Sequence, residues 1–194
     1  MSKSKPFMVE FSGTPEAGKT TTIGTVANML RSKNYNVMVL RESAESLPNE
    51  IEKGTFDANM WMHFVTQAGI LKAIHSQADI VLIDRGLIDS MFYGWKFLKE
   101  KKCKVNNYNE FRNTFVKKLE PDLFIALMVE PEVAIKRRGG EGRLVNKEYI
   151  ETYNEDFIEF FKHIKFDKEC IKTDNMDIYE MNQKIYSVVL KYLL

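Results

Sequence analysis

An α/β architecture, with a parallel sheet of about five strands and helices on both faces, is what three features of this 194-residue chain predict. Short, nearly continuous apolar runs alternate with longer stretches whose apolar residues recur every three or four positions, the pattern of buried parallel strands joined by crossover helices. The first run leads directly into Gly13-Thr14-Pro15-Glu16-Ala17-Gly18-Lys19-Thr20, a glycine-rich turn that opens a helix. The second and third runs end on Arg41-Glu42 and Asp84-Arg85. A parallel sheet gathers such groups at the carboxyl ends of its strands, where ligands bind.

Each element follows from its residues. Phe7 to Ser12 reads as the first buried strand, and the helix from Thr20 to Arg31 carries Ile23, Val26, Ala27 and Leu30 on one face. Asn36 to Leu40 is the second strand. Residues 44–57 are polar, with Pro48 and Gly54, and read as an irregular or partly helical connection. From Ala58 to Ile74, Trp61, Phe64, Val65, Ala68 and Leu71 recur at helical spacing. Asp79 to Ile83 is the third strand, followed by a helix bearing Leu87, Met91 and Trp95. A helical stretch near Tyr108 to Leu119 is expected to stop before Pro121. Leu123 to Val129 is the fourth strand, and Pro131 opens a short helix. Ile150, Tyr153, Phe157, Phe160 and Ile164 mark an amphipathic helix, Glu169 to Lys172 the last strand, and Ile178 to Tyr192 a closing helix.

Bulk properties narrow the function classes. The length fits one domain, residues 1–194, with ample core. Basic and acidic residues number 28 and 27, and a formal charge of +1 supplies no general field for nucleic acid, which is not expected as a partner. The basic start, Met1-Ser2-Lys3-Ser4-Lys5, precedes a strand too short to be a signal peptide's apolar region, and no apolar run is long enough to span a membrane. A cytoplasmic protein with no membrane partner is expected. Cys103 and Cys170 lack metal-ligand spacing and read as reduced thiols.

The segment from Gly13 to Thr20 meets every fixed position of the phosphate-loop pattern G-x-x-x-x-G-K-[ST]. Its glycines let backbone N–H groups turn inward toward phosphate oxygens. Lys19 would then face the β- and γ-phosphates of ATP, while the Thr20 hydroxyl would ligate Mg²⁺; Thr21 continues the first turn. Glu16 is the awkward member, since a carboxylate beside a triphosphate is repelled, and its side chain is expected to point outward or toward an acceptor.

Four further groups extend the site. Asp84, at a strand end, is placed to hold Mg²⁺ beside Thr20, and could also cap the next helix. Glu42 could accept a proton from a substrate hydroxyl, and Arg85 could grip a substrate phosphate or hydroxyl; Arg41 is a weaker member of the same group. Arg137, Arg138 and Arg143 flank three glycines, which suits a lid over about 137–146 that closes on developing charge. On the helix after the second strand, Phe64 and Gln67 are candidate acceptor contacts. Aromatics at helical spacing are more often core, whereas Gln67 pairs a donor and an acceptor suited to a base edge.

Taken in order, these motifs resemble the thymidylate kinase and deoxynucleoside kinase group of phosphate-loop kinases over nearly the whole chain. The resemblance rests on Gly18-Lys19-Thr20-Thr21, Arg41-Glu42, Asp84-Arg85-Gly86, and Pro131-Glu132-Val133-Ala134 leading to Arg137, with Glu148, Tyr149 and Tyr153 after the lid. It implies a P-loop nucleoside triphosphate hydrolase fold with an arginine-rich lid, ATP and Mg²⁺ as cofactors, a nucleoside or nucleoside monophosphate as acceptor, and a homodimer. Two departures lie on the acceptor side. Ser43-Ala44-Glu45 stands where thymidylate kinases have Pro-Gly-Gly, and Gly86 stands where an aromatic or serine is common. A nucleoside kinase resembling this would use Glu42 as general base; a nucleotide kinase needs none. The competing readings are a P-loop ATP-binding regulatory switch, for which guanine-specific motifs are missing, and a kinase of another small metabolite.

Overall fold

The computed structural model describes residues 5–140, 142 and 145–194, the side chain of Glu45 apart. Among them, strands β1 (Phe7–Gly13), β2 (Val37–Leu40), β3 (Ile80–Asp84), β4 (Leu123–Met128) and β5 (Lys168–Lys172) form one sheet in the order β2-β3-β1-β4-β5. Every neighbouring pair is parallel. The helices are α1 (Lys19–Arg31), α2 (Phe56–Ile74), α3 (Leu87–Lys99), α4 (Val105–Asn113), α5 (Pro131–Arg138), α6 (Lys147–His163) and α7 (Ile178–Leu193).

Alternate strand residues feed two layers of core. Val9, Phe11, Leu82 and Ile125 pack on the side of α1 and α7, against Ile23, Val26, Leu30, Ile185 and Val189. On the opposite face, Met8, Val81 and Ile83 meet Ile70 of α2 and Leu87 of α3, while Phe124 and Ala126 meet Phe92 of α3 and Tyr153 and Phe157 of α6. Phe92 stands edge-on to Tyr153 and Phe157, at 5.1 Å from each, the geometry that aromatic quadrupoles favour. Each such fully buried ring contributes about 1.5–3 kcal/mol by its area alone.

The topology opens one crevice. After β1 the chain crosses past β3 to β2 at the sheet edge, and after β3 it crosses to β4 on the far side of β1. The direction of winding therefore reverses between β1 and β3, and their carboxyl ends, Gly13 and Asp84, border the gap.

Two helices differ from expectation by more than one residue. The second helix starts earlier, at Phe56, because Thr55 caps it by accepting the Ala58 N–H at 3.2 Å. The helix expected near 108–119 is α4, which ends at Asn113, followed by a short 3-10 turn over Lys117–Leu119. There the Thr114 hydroxyl donates to the Phe111 carbonyl at 2.6 Å, and the Val116 N–H is taken by Gln67 Oε1 at 3.2 Å, so the backbone leaves the helical ladder well before Pro121. At the C-terminus of α5, Gly139 (φ 86°) and Gly140 (φ 130°) return N–H groups to Lys136 and Ile135. The lid expected over about 137–146 is described only in part, and Arg143 lies outside the described residues. Among the described residues, no helix is long and apolar enough to cross a membrane.

Candidate active site

Gly13 ends β1 at φ 119° and Gly18 caps α1 at φ 89°, both conformations that favour glycine. A Cβ at Gly13 would lie 2.1 Å from the Leu127 carbonyl oxygen, so only glycine lets the loop press against β4. Lys19 is buried, and its Nζ donates to the Gly13 and Thr14 carbonyls at 3.0 and 2.7 Å, which holds the ammonium inside the curl of the loop. Burial, reinforced by the Arg85 guanidinium, pushes Lys19 down to about 7. The first turn of α1 contains no acidic side chain, so its positive end faces the same space. Ala17 packs into the core and Pro15 lines the cavity described below. Thr21 is exposed on α1. Glu16, at φ 60°, brings its carboxylate to within 3.8 Å of Arg138, and both residues line that same cavity. The Thr14 hydroxyl instead donates to Asn154 Oδ1 at 2.6 Å, and Tyr153 donates to the Gly13 carbonyl at 3.1 Å, so α6 buttresses the loop.

Thr20 Oγ1 donates to Asp84 Oδ2 at 2.6 Å, while Asp84 Oδ1 is buried without a hydrogen-bond partner. A hydroxyl and an orphaned carboxylate oxygen, both hard donors, fit a divalent cation. Among the described residues no three acidic, His or Cys side chains form a metal-holding group, so a cation here would draw its remaining ligands from phosphate and water. Asp84 does not cap α3; that position belongs to Gly86.

Beside this pair opens a cavity of about 420 Å³ lined by Glu42, Asn59, Arg85, Asp89, Tyr93 and Tyr149, among others. Arg85 adopts a left-handed backbone, φ 56°, that aims its guanidinium between two acids: Nε lies 3.2 Å from Glu42 Oε2 and Nη1 3.4 Å from Asp89 Oδ1. Asp89 also accepts from the Ser12 hydroxyl. Burial pushes the Glu42 carboxyl up and Arg85 opposes it. Beneath them Glu10 is fully buried, accepting three backbone N–H groups of the turn into α3. Its burial pushes the carboxyl up to about 8 against the pull of those donors.

Lys19, Thr20, Glu42, Asp84 and Arg85 therefore share one rim, as the strand ends anticipate. Four other expectations do not line the cavity. Gln67 is buried and spends its Oε1 on the Val116 N–H; Phe64 is 47% exposed, and neither reaches the cavity. The face of α2 that does reach it carries Ala58, Asn59, Met62 and Thr66. Periodicity could not separate these faces, because α2 is apolar on more than one side. Arg137 donates to Thr173 Oγ1 and the Thr173 carbonyl at 3.0 and 2.6 Å and reaches the phosphate loop at the Glu16 carbonyl, 3.5 Å away, while it is Arg138 that lines the cavity. Arg41 is exposed and borders a neighbouring groove that shares Glu42 and Arg85. His63 is enclosed by Phe111 and Phe115, with Nδ1 2.8 Å from Ser90 Oγ, and burial pushes it down to about 4.

Sequence reasoning missed Glu10, Asn59 and Asp89, and it took Ser12 only as a strand end and Arg138 only as a member of the lid. Glu10 left a trace, as an acid within an apolar run.

The family model for thymidylate kinase matches residues 11–189. The thymidylate kinase of Thermoanaerobacter sp. (strain X514) is 30% identical over 95% of this chain and 98% of its own length. That of Caldicellulosiruptor saccharolyticus is 26% identical, covering 94% and 97%, and that of Buchnera aphidicola subsp. Schizaphis graminum is 27% identical, covering 100% and 98%.

Proposed function

The chain belongs to the thymidylate kinase family and is an ATP-dependent enzyme that phosphorylates a nucleoside monophosphate; we propose that thymidylate is that monophosphate and Mg²⁺ the divalent cation. Transfer between phosphates asks a protein for positioning and charge neutralisation more than for covalent help. Lys19 is the group for the β- and γ-phosphates, released from its loop carbonyls as they arrive. Thr20 and Asp84 would hold the cation, which supplies charge neutralisation and orients the phosphate oxygens. Arg85 is the grip on the acceptor phosphate, kept in line by Glu42 and Asp89. Phosphate monoesters have a second pKa of about 6, so the acceptor arrives ionised and Glu42 has no proton to remove. Arg138 adds positive charge from the root of the lid, and Arg143 is assigned the same task on sequence grounds.

The observation that supports this most is the shared rim: the Thr20–Asp84 pair at 2.6 Å and the Arg85–Glu42 pair at 3.2 Å face one gap between β1 and β3. The test is a coupled assay with ATP and a panel of nucleoside monophosphates. Turnover is expected to be greatest with thymidylate. Preference for another monophosphate removes thymidylate alone, and turnover with none removes the acceptor class. A thermal-shift screen with a non-hydrolysable ATP analogue gives an independent reading, since an acceptor at a hundred times its Kd adds about 2.7 kcal/mol of stability.

Assembly belongs to the same proposal. Trp61, Phe64 and Leu71 are 39%, 47% and 41% exposed along one side of α2. A second copy of the chain is the partner assigned there, which light scattering would detect. The near-neutral charge supports small-molecule rather than nucleic-acid partners, and a cytoplasmic setting belongs to the same reading.

A further inference from the structure

We propose that Glu10 is a positioning residue for the acceptor grip: its carboxylate, rising from the middle of β1, sets the turn that presents Arg85 and Asp89, and Gly86 exists to make room for it. The inference rests on the reading of Arg85 as the contact to the acceptor phosphate.

Glu10 Oε1 accepts the N–H groups of Gly86 and Asp89 at 3.0 and 2.9 Å, and Oε2 accepts that of Ile88 at 3.1 Å. These are first-turn donors of α3, which a helix ordinarily satisfies with a local cap side chain. Here the cap position is Gly86 and has no side chain to offer. Among the described residues no cation pairs with Glu10, so the fold buries a carboxylate where a serine or aspartate at position 86 would cap more cheaply. What the distant acid adds is a link between layers.

Three consecutive residues of β1 hold the turn. Glu10 takes its N–H groups, the Phe11 carbonyl accepts the Arg85 N–H at 2.9 Å, and the Ser12 hydroxyl bonds the Asp89 carboxylate. The next residue, Gly13, begins the phosphate loop. One strand thus indexes both the loop that faces ATP and the guanidinium assigned to the acceptor, fixing the separation across which the phosphoryl group moves. Gly86 completes the device: a Cβ there would sit 2.4 Å from Glu10 Oε2. The departure from the residue common after Asp-Arg has a physical partner in Glu10.

The test uses Glu10→Gln, which keeps volume but sets an amide NH₂ against a backbone N–H, and Gly86→Ala, which displaces the carboxyl group while keeping it in the chain. Each is assayed beside the wild type for acceptor KM, ATP KM, kcat and melting temperature. The expected result is an acceptor KM raised about tenfold in both variants, with ATP KM changed by less than about twofold. A merely structural carboxylate would lower the melting temperature and leave the acceptor KM where it was. Folded variants with an unmoved acceptor KM, or with both KM values rising together, overturn the proposal. Loss of the fold in both overturns it as well, since the acid is then a determinant of folding first. Wild-type protein inert toward every monophosphate removes the acceptor reading itself, which separates that failure from this one.

Discussion

The phosphate loop and the acceptor wall face one another across the same gap and are built in opposite ways. The loop is eight consecutive residues, Gly13 to Thr20, whose glycines, lysine and threonine carry its geometry locally. The wall is assembled from side chains that the chain delivers separately: Ser12 from β1, Glu42 after β2, Asn59 from α2, Arg85 after β3, Asp89 from α3 and Tyr149 from α6. A local motif tolerates drift around it because its donors belong to one backbone. An assembled wall is only as well placed as the packing beneath it, which makes it the natural seat of acceptor choice.

Four measurements would break or sharpen that contrast. The largest effect is expected in the loop: Lys19→Ala should lower kcat by about a hundred- to a thousandfold, comparable to removing one preorganised donor from a transition state. A coupled ATP assay reads it, and a loss under tenfold would remove Lys19 from the central role. Next, Asp84→Asn should weaken divalent-cation dependence by about 10–100-fold, read as a displaced midpoint in a Mg²⁺ titration at saturating ATP. No displacement would leave Thr20 without its partner in metal binding.

The third prediction concerns protons. With Lys19 held near 7 in the folded protein, the unfolded chain binds more protons between there and the ordinary lysine range, so this group makes stability fall as pH drops from about 10.5 to about 7. Polyphosphate against Nζ favours the charged form, so nucleotide binding above neutral pH should take up a proton, and affinity should decline as pH rises through that window. Calorimetry in buffers of different ionisation enthalpy measures the uptake, which Lys19→Met should abolish. The smallest effect is expected outside both regions. Gln67→Ala should cost about 1 kcal/mol of stability through the lost bond to Val116 and leave acceptor KM within about twofold. A large KM change would return Gln67 to the site.

The same contrast explains what was legible in the amino acids. The strands and most helices follow from apolar period, and the loop from its fixed residues. Arg85 and Glu42 were visible as strand ends because parallel topology fixes where strand ends go. Asn59 and Asp89 were not, since a polar residue on a helix looks the same whether it faces solvent or a cavity. Gln67 misled for the converse reason: its amide suits a base edge and also an irregular backbone, and the bend after Thr114 supplies the latter. Arg137 and Arg138 are adjacent, and only tertiary contact with Thr173 decides which of them is tied down.

Tyr153 belongs at once to the ring column of the core and to the phosphate loop. It lies nearly parallel to Phe157, with an interplanar angle of 13°, and its hydroxyl meets the Gly13 carbonyl. Slack introduced anywhere along that column, by heat or by trimming a ring, would be transmitted to the loop before the sheet itself gave way. Catalysis in this enzyme should therefore fade ahead of melting, and substitutions at Phe92 or Phe157 should read as sluggish enzymes while still passing as folded ones.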